Sequence, residues 1–150
     1  MVYKVLSLTF VVILSSLVGA QKLTKEEVAG FWTLQESGFY ENGKKIVKDF
    51  DNCRLMRNYA LREDGFAIYN YIEGSIGNCI ATEPRLSFWR VVENRIQFYI
   101  DDKILEEVEV TLNDDKTITF SSYIPKPIND SDHMIEKLMN TIHYNILKRY

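Results

Sequence analysis

The sequence predicts an all-β fold: an eight-stranded antiparallel up-and-down β-barrel, with a short helix before the first strand and one helix before the last. Three observations carry this. Apolar and polar residues alternate through most of the chain after residue 30, the period-two pattern of strands with one wet face. Tight polar turns separate these runs at short, even intervals, which suits a meander of neighbouring strands. Only one long connection, residues 125–141, interrupts the series. Closure into a barrel removes exposed sheet edges. A sandwich would need long Greek-key crossovers that the short turns do not provide.

The elements follow in order. Thr24-Lys25-Glu26-Glu27 is a capping box that starts a helix, and Gly30 ends it within a few residues. "GFWTLQESGFY" (30–40) alternates, with Trp32, Leu34 and Glu36 on one face. "CRLMRNYALR" (53–62) alternates as well, and Leu55, Tyr59 and Leu61 share a side. Glu63-Asp64-Gly65 turns the chain into "FAIYNYI" (66–72), making a hairpin. "RLSFWRVV" (85–92) turns at Glu93-Asn94 into "RIQFYI" (95–100), and Asp101-Asp102-Lys103 leads to "ILEEVEVTL" (104–112). There Val108, Val110 and Leu112 stand against Glu107, Glu109 and Thr111. Asn113-Asp114-Asp115 turns into "KTITFSSYI" (116–124). Pro125-Lys126-Pro127 breaks the pattern, and Asn129 to Asp132 supplies helix caps. Ile135, Leu138, Met139 and Ile142 then form an apolar stripe at helical spacing. "IHYNILKRY" (142–150) is the last strand.

The first twenty residues set the compartment. Lys4 precedes a run from Val5 to Val18 that is apolar but for Ser7, Thr9, Ser15 and Ser16, and Val18-Gly19-Ala20 places small residues at a cleavage site. This is the layout of a secretory signal peptide. The run is shorter than the roughly 20 residues a spanning helix needs, so an anchor that persists is the poorer reading. Gln21 stands where a bacterial lipoprotein would need Cys. The expected product is one domain, 21–150, secreted or periplasmic. Removing Met1–Ala20 takes away one of 18 basic residues and none of the 21 acidic ones, for a net charge of −4. Charges of both signs are mixed along the chain, and no basic stripe invites nucleic acid.

Cys53 and Cys79 are the only cysteines. Their spacing is not that of a redox C-x-x-C motif, and His133 and His143 are too far off in sequence to complete a zinc site. In an oxidising compartment a structural Cys53–Cys79 disulfide is expected, ahead of free or metal-bound thiols.

Catalysis finds little support. His133 and His143 read as capping or solvated residues, and no nucleophile motif is present. Asp101-Asp102 and Asp114-Asp115 read as turns, and Glu106, Glu107 and Glu109 as a solvated strand face. "NDSDH" (129–133) lacks the glycine and distal glutamate of a calcium loop, so neither metal nor cofactor is expected. Asn129-Asp130-Ser131 also matches a glycosylation sequon.

The aromatic residues are the stronger candidates. In a small barrel the inward positions either fill the core or line one ligand site. Tyr59, Tyr69 and Tyr71 lie on the hairpin between the cysteines, and Phe88, Phe98 and Phe120 on later strands. Asn70 is in step with Ile68 and Ile72, and Arg90 with Phe88 and Val92. Were those faces inward, Asn70 and Arg90 would be anchors, because a buried polar group needs a partner. Both faces of 66–72 and 85–92 carry large apolar residues, so the register stays open between a tyrosine-lined and an asparagine-anchored pocket.

The order of a short helix, Gly30-Phe31-Trp32 opening the first strand, a meander, a helix and a basic last strand resembles a lipocalin. It is most similar to the small lipocalin-like domains that bacteria export. In those domains G-x-W opens strand one, and a cysteine often begins the second strand. A strand like "FWRVVENRIQFYI" (88–100) follows the mid-chain loop, and one like "YNILKRY" (144–150) ends the chain. The likeness covers about 30–150. It implies that Trp32 plugs the closed end of the barrel with Arg149 packed on its ring. The chain has no good copy of a T-D-x-x-Y-like second signature and no long lid in its first hairpin.

Two functions are carried forward. One is non-catalytic binding of a small hydrophobic or amphipathic molecule in the barrel. The other is a filled barrel whose outer aromatics, such as Trp89 and Tyr99, meet a protein or polysaccharide.

Overall fold

A computed structural model describes residues 22–48, 52–75, 77–123 and 141–150. The expected signal peptide, His133, the sequon and the helix before the last strand fall outside the described residues.

Helix α1 (Lys25–Val28) is held by its capping box. Thr24 Oγ1 accepts the Glu27 N–H, and the Glu27 carboxylate accepts the Thr24 N–H at 2.8 Å. Strands β1 (Gly30–Glu41) and β2 (Lys44–Val47) follow, then a helical turn α2 (Asn52–Leu55). Next come β3 (Asn58–Leu61), β4 (Phe66–Asn70) and a small hairpin of β5 (Ile72–Ser75) with β6 (Asn78–Ala81). The chain continues through β7 (Arg85–Val92), β8 (Arg95–Ile100), β9 (Lys103–Leu112), β10 (Thr117–Ser122) and β11 (Thr141–Arg149).

Eight of these strands close an antiparallel barrel in the order β1-β3-β4-β7-β8-β9-β10-β11. β11 returns to β1 over a long ladder, from Trp32 opposite Arg149 to Glu41 opposite Thr141.

Three features differ from the expected layout. The predicted strand 53–62 pairs only from Asn58, and Cys53 lies in α2. The ladder with β1 runs from Gly30 opposite Leu61 to Thr33 opposite Asn58, and the Leu34 N–H then donates to the Arg57 carbonyl at 3.1 Å as the chain leaves the sheet for α2. β2 itself comes from Asn42-Gly43, whose positive φ values of 49° and 76° suit a tight hairpin turn. The predicted strand 66–72 ends at Asn70, and Ile72 belongs to the β5–β6 hairpin. Gly74 is required there, since a Cβ would collide with the Asn78 carbonyl oxygen.

The core is the inner face of the barrel. Trp32, Leu34, Leu61, Ala67, Trp89, Ile96, Phe98, Val108, Val110, Ile118, Phe120 and Leu147 are buried together with Leu23 and Val28 from the α1 segment. Trp89 is therefore not an outer-patch residue: it is 1% exposed, and its indole N–H donates to the Arg62 carbonyl at 2.9 Å. A buried indole needs such a partner, and the inner face supplies one.

One end of the barrel is sealed. Trp32 donates its indole N–H to the Val28 carbonyl at 2.8 Å. The Arg149 guanidinium lies 4.7 Å from the Trp32 ring centre and donates to the Glu27 carbonyl. α1 thus lies across the end where β1 begins and β11 finishes. Cys53 and Cys79 form a disulfide with Cα atoms 5.2 Å apart, tying α2 to β6 at the other end.

Candidate functional site

The mouth lies opposite the sealed end. Here β3 and β4 place Tyr59 directly across from Tyr69, with stacked rings 4.3 Å apart. Tyr69 shares its face with buried Ala67, so the tyrosine face of β4 lines the barrel. Phe120 and Phe98 close around the Tyr59 ring at 5.7 and 6.3 Å.

A cavity of about 190 Å³ opens beside this stack. Tyr59, Tyr69 and Phe98 give it rings, while Arg85, Leu86, Leu105 and Glu106 form its rim. The space exists because two small residues, Ala67 and Ser87, face each other across β4 and β7. A β-bulge between β8 and β9 adds to it: Phe98 opposes Glu106 but Tyr99 opposes Ile104, leaving Leu105 as the extra residue. Bulges re-aim side chains in this way.

Three arginines stand around the mouth. Arg57 lies over the Tyr71 ring at 3.7 Å and donates from Nε to the Ile72 carbonyl at 3.0 Å. Arg85 lies over the same ring at 4.9 Å. Tyr71 in turn packs edge-on against Tyr69 at 5.8 Å. Arg54 reaches Ser37 Oγ at 3.5 Å. Burial lowers the Arg54 pKa, as does the charge of Arg57.

The titrating groups reflect this crowding. Burial pushes the Tyr59 hydroxyl well above the usual tyrosine range, with Tyr69 adding to the effect. Burial also raises Tyr69, against a lowering by Arg57. Glu106 keeps solvent access as a residue, yet burial around its carboxyl raises its pKa while the charge of Arg85 opposes the rise.

Five sequence candidates thus come together: Tyr59, Tyr69, Tyr71, Phe98 and Phe120. Three others lie on the outer wall. Asn70 donates to Asn58 Oδ1 at 2.6 Å. Arg90 donates to Gln97 Oε1 at 2.9 Å and stacks 4.9 Å over Tyr99. Phe88 is 46% exposed and packs on Phe66 and Tyr99. Glu106 does not belong with Glu107 and Glu109. The Val108 and Val110 alternation, extended back one step, puts it on the inner face, and this signal was available in the sequence. Arg85 shares the inner face with Ser87 and Trp89, which the sequence left open. Arg57 carries no such signal, because its place depends on α2.

A broader depression of about 600 Å³ lies on the outer wall near the sealed end, lined by Phe31, Ala60 and the 62–64 turn. Of its three charged residues, Arg62, Glu63 and Asp64, the first and last already pair at 2.7 Å. The mouth is the more enclosed of the two and gathers arginines around a ring-lined cavity, so it is the better candidate.

No curated protein sequence matches the chain. A family model described as a lipocalin-like domain matches residues 28–123, from the end of α1 to just past β10. With the closed eight-stranded barrel and the helix-sealed end, this places the chain in the lipocalin-like family.

Proposed function

We propose that this protein is an exported, non-catalytic binding protein that holds a small, partly apolar molecule in the barrel mouth. One observation carries the reading: the Tyr59–Tyr69 stack borders a cavity of about 190 Å³ left beside the packed core. An apolar cavity of roughly 150 Å³ accommodates a benzene-sized molecule, so the mouth suits a ligand with one ring or a short chain. The family is a binding fold. His143 packs against the Phe39 ring at 5.9 Å, and the Asp101 and Asp115 pairs sit in turns. The Cys53–Cys79 disulfide fits an oxidising compartment, in keeping with the signal-like leader.

The test is native mass spectrometry of the full-length gene product recovered after export. A chain mass starting at Gln21, with a bound small molecule lost on denaturation, is the expected result. A chain retaining its leader overturns export. An unliganded mass, with no small molecule shifting Tyr59 or Tyr69 resonances, overturns the binding role.

A second reading rests on the outer wall. Phe66, Phe88, Tyr99 and Ile104 stand in register across β4, β7, β8 and β9, and Phe88 and Ile104 are substantially exposed. An exposed apolar row of this kind suits a protein or polysaccharide contact. Phe88→Ser should abolish such a contact without touching the mouth.

A further inference from the structure

Resting on the mouth as the binding site, we propose that the ligand is an anion: a carboxylate or similar oxyanion anchored by Arg85 and Arg57, with an apolar part about one ring in size against Tyr59, Tyr69 and Phe98. Two cations share one aromatic ring here, at 3.7 Å for Arg57 and 4.9 Å for Arg85 from the Tyr71 centre. Like charges held this close repel. The negative face of the ring offsets part of that cost. A counter-anion would offset more, yet none of the ion pairs found among the described residues includes Arg57 or Arg85.

Arg57 is fixed for the role. Its Nε–H is spent on the Ile72 carbonyl and its side chain also hydrogen-bonds Tyr69, which together orient the planar head beside the cavity. Arg85 needs no movement to reach the cavity, since it lines it. The forked guanidinium geometry matches a carboxylate. Arg85 lies at the rim with Arg57 next to it across the Tyr71 ring, so a ligand can keep its charged end near water while its apolar end enters.

Glu106 sets the sign of a decisive control. It is the carboxylate among the cavity-lining residues, and it interacts with Arg85 without reaching ion-pair distance. A ligand carboxylate and Glu106 would therefore repel each other. Removing the Glu106 charge must tighten an anion and weaken a cation. A merely structural Glu106 would not produce that pair of opposite changes.

The experiment titrates the exported protein with phenylacetate, phenylacetamide and phenethylamine, following Tyr69 and Arg85 resonances by NMR. Phenylacetate should bind at least tenfold more tightly than the amide, and only its affinity should fall as salt is raised. Arg85→Gln should remove most of that preference, Glu106→Gln should increase phenylacetate affinity several-fold, and the outer-wall variant Arg90→Gln should change nothing. Equal binding of acid and amide, or tighter binding of the amine, overturns the anion assignment but leaves the binding role standing. Failure of all three probes to shift mouth resonances at millimolar concentration overturns both.

Discussion

Tyr59 and Tyr69 stand directly opposite one another on β3 and β4, and their rings stack at 4.3 Å with planes 19° apart. This pair is both wall and support: it borders the cavity and packs against Phe98 and Phe120 beneath. Truncating Tyr69 to Ala removes the pair and enlarges the cavity. An aromatic pair contributes about 1 kcal/mol beyond its buried area. A fully buried ring cut to Ala costs about 3–5 kcal/mol, and Tyr69 is only partly buried. Tyr69→Ala should therefore lower stability by about 2 kcal/mol in urea unfolding. Unchanged stability would show the stack to be ornamental.

The Tyr59 hydroxyl gives a pH signature. Burial raises its folded-state pKa well above the ordinary tyrosine value, and the unfolded chain has no such burial. Between the unfolded and folded values the folded state binds more protons, so stability must fall as pH rises through that window. The decline should begin near pH ~10, where free tyrosine titrates, and continue above it. Tyr59→Phe removes this group from the titration. Its stability curve above that pH should fall less steeply than that of the parent, while Tyr69 and Tyr144, also raised, account for a remaining slope.

The disulfide ties α2 to β6 beside the mouth. Cys53 in α2 and Cys79 in β6 are 26 residues apart, and α2 leads directly to Arg57. Closing a loop of this length stabilises by about 3 kcal/mol in the chain-entropy model. A Cys53→Ser/Cys79→Ser double variant should lose roughly that amount. It should also weaken phenylacetate, because Arg57 loses its fixed approach to Tyr71. Alkylation of the native protein should label no thiol until a reductant is added; two labelled thiols without reductant would remove the bond.

The barrel was legible because its turns and alternation are local. Glu63-Asp64-Gly65, Glu93-Asn94 and Asp101-Asp102 turn the chain where the residues said they should. Parity was not legible on β4 and β7, and the reason is physical. Their outer residues, Phe66, Ile68, Leu86 and Phe88, are larger than the inner Ala67 and Ser87. Tyr69 and Trp89 make the inner face large as well, so size does not decide between the faces, and the smallness of Ala67 and Ser87 is what opens the cavity. The α2 turn was hidden for a different reason: Cys53 is held there by its bond to Cys79 in β6, a long-range tie that no window of residues contains.

Glu36 links β1, β2 and β11 on the outer wall. It pairs with Lys45 at 2.6 Å and accepts from the Tyr144 hydroxyl at 2.9 Å. Its carboxyl pKa is lowered chiefly by the Lys45 hydrogen bond, against desolvation. A depressed folded pKa contributes stability that is present above the unfolded value and lost as pH falls. Both partners are partly exposed, so the contribution should stay below about 1 kcal/mol. Glu36→Gln should narrow the stability difference between pH 7 and pH 3 by no more than that, read from urea midpoints. A variant with an unaltered pH difference would show that solvent screens the pair completely.

Arg149 closes the barrel's other end, and its effect should be confined there. It stacks 4.7 Å over Trp32 and donates to the Glu27 carbonyl, so one side chain joins β11, β1 and α1. A cation–π contact contributes about 0.5–2 kcal/mol, and a charged hydrogen bond about 1.5–3 kcal/mol. The two share one partly solvated group, so Arg149→Ala should cost about 2 kcal/mol, not their sum. Lys keeps the charge over the ring but not the planar fork, so Arg149→Lys should recover only part of the loss. Neither variant removes a group from the cavity lining, although Trp32 stands opposite Tyr59 across β1 and β3. Phenylacetate affinity measured well below the unfolding midpoint should therefore match that of the parent. A parallel loss of affinity would mean that the sealed end and the mouth are mechanically coupled, and that the rim arginines owe their positions to the plug.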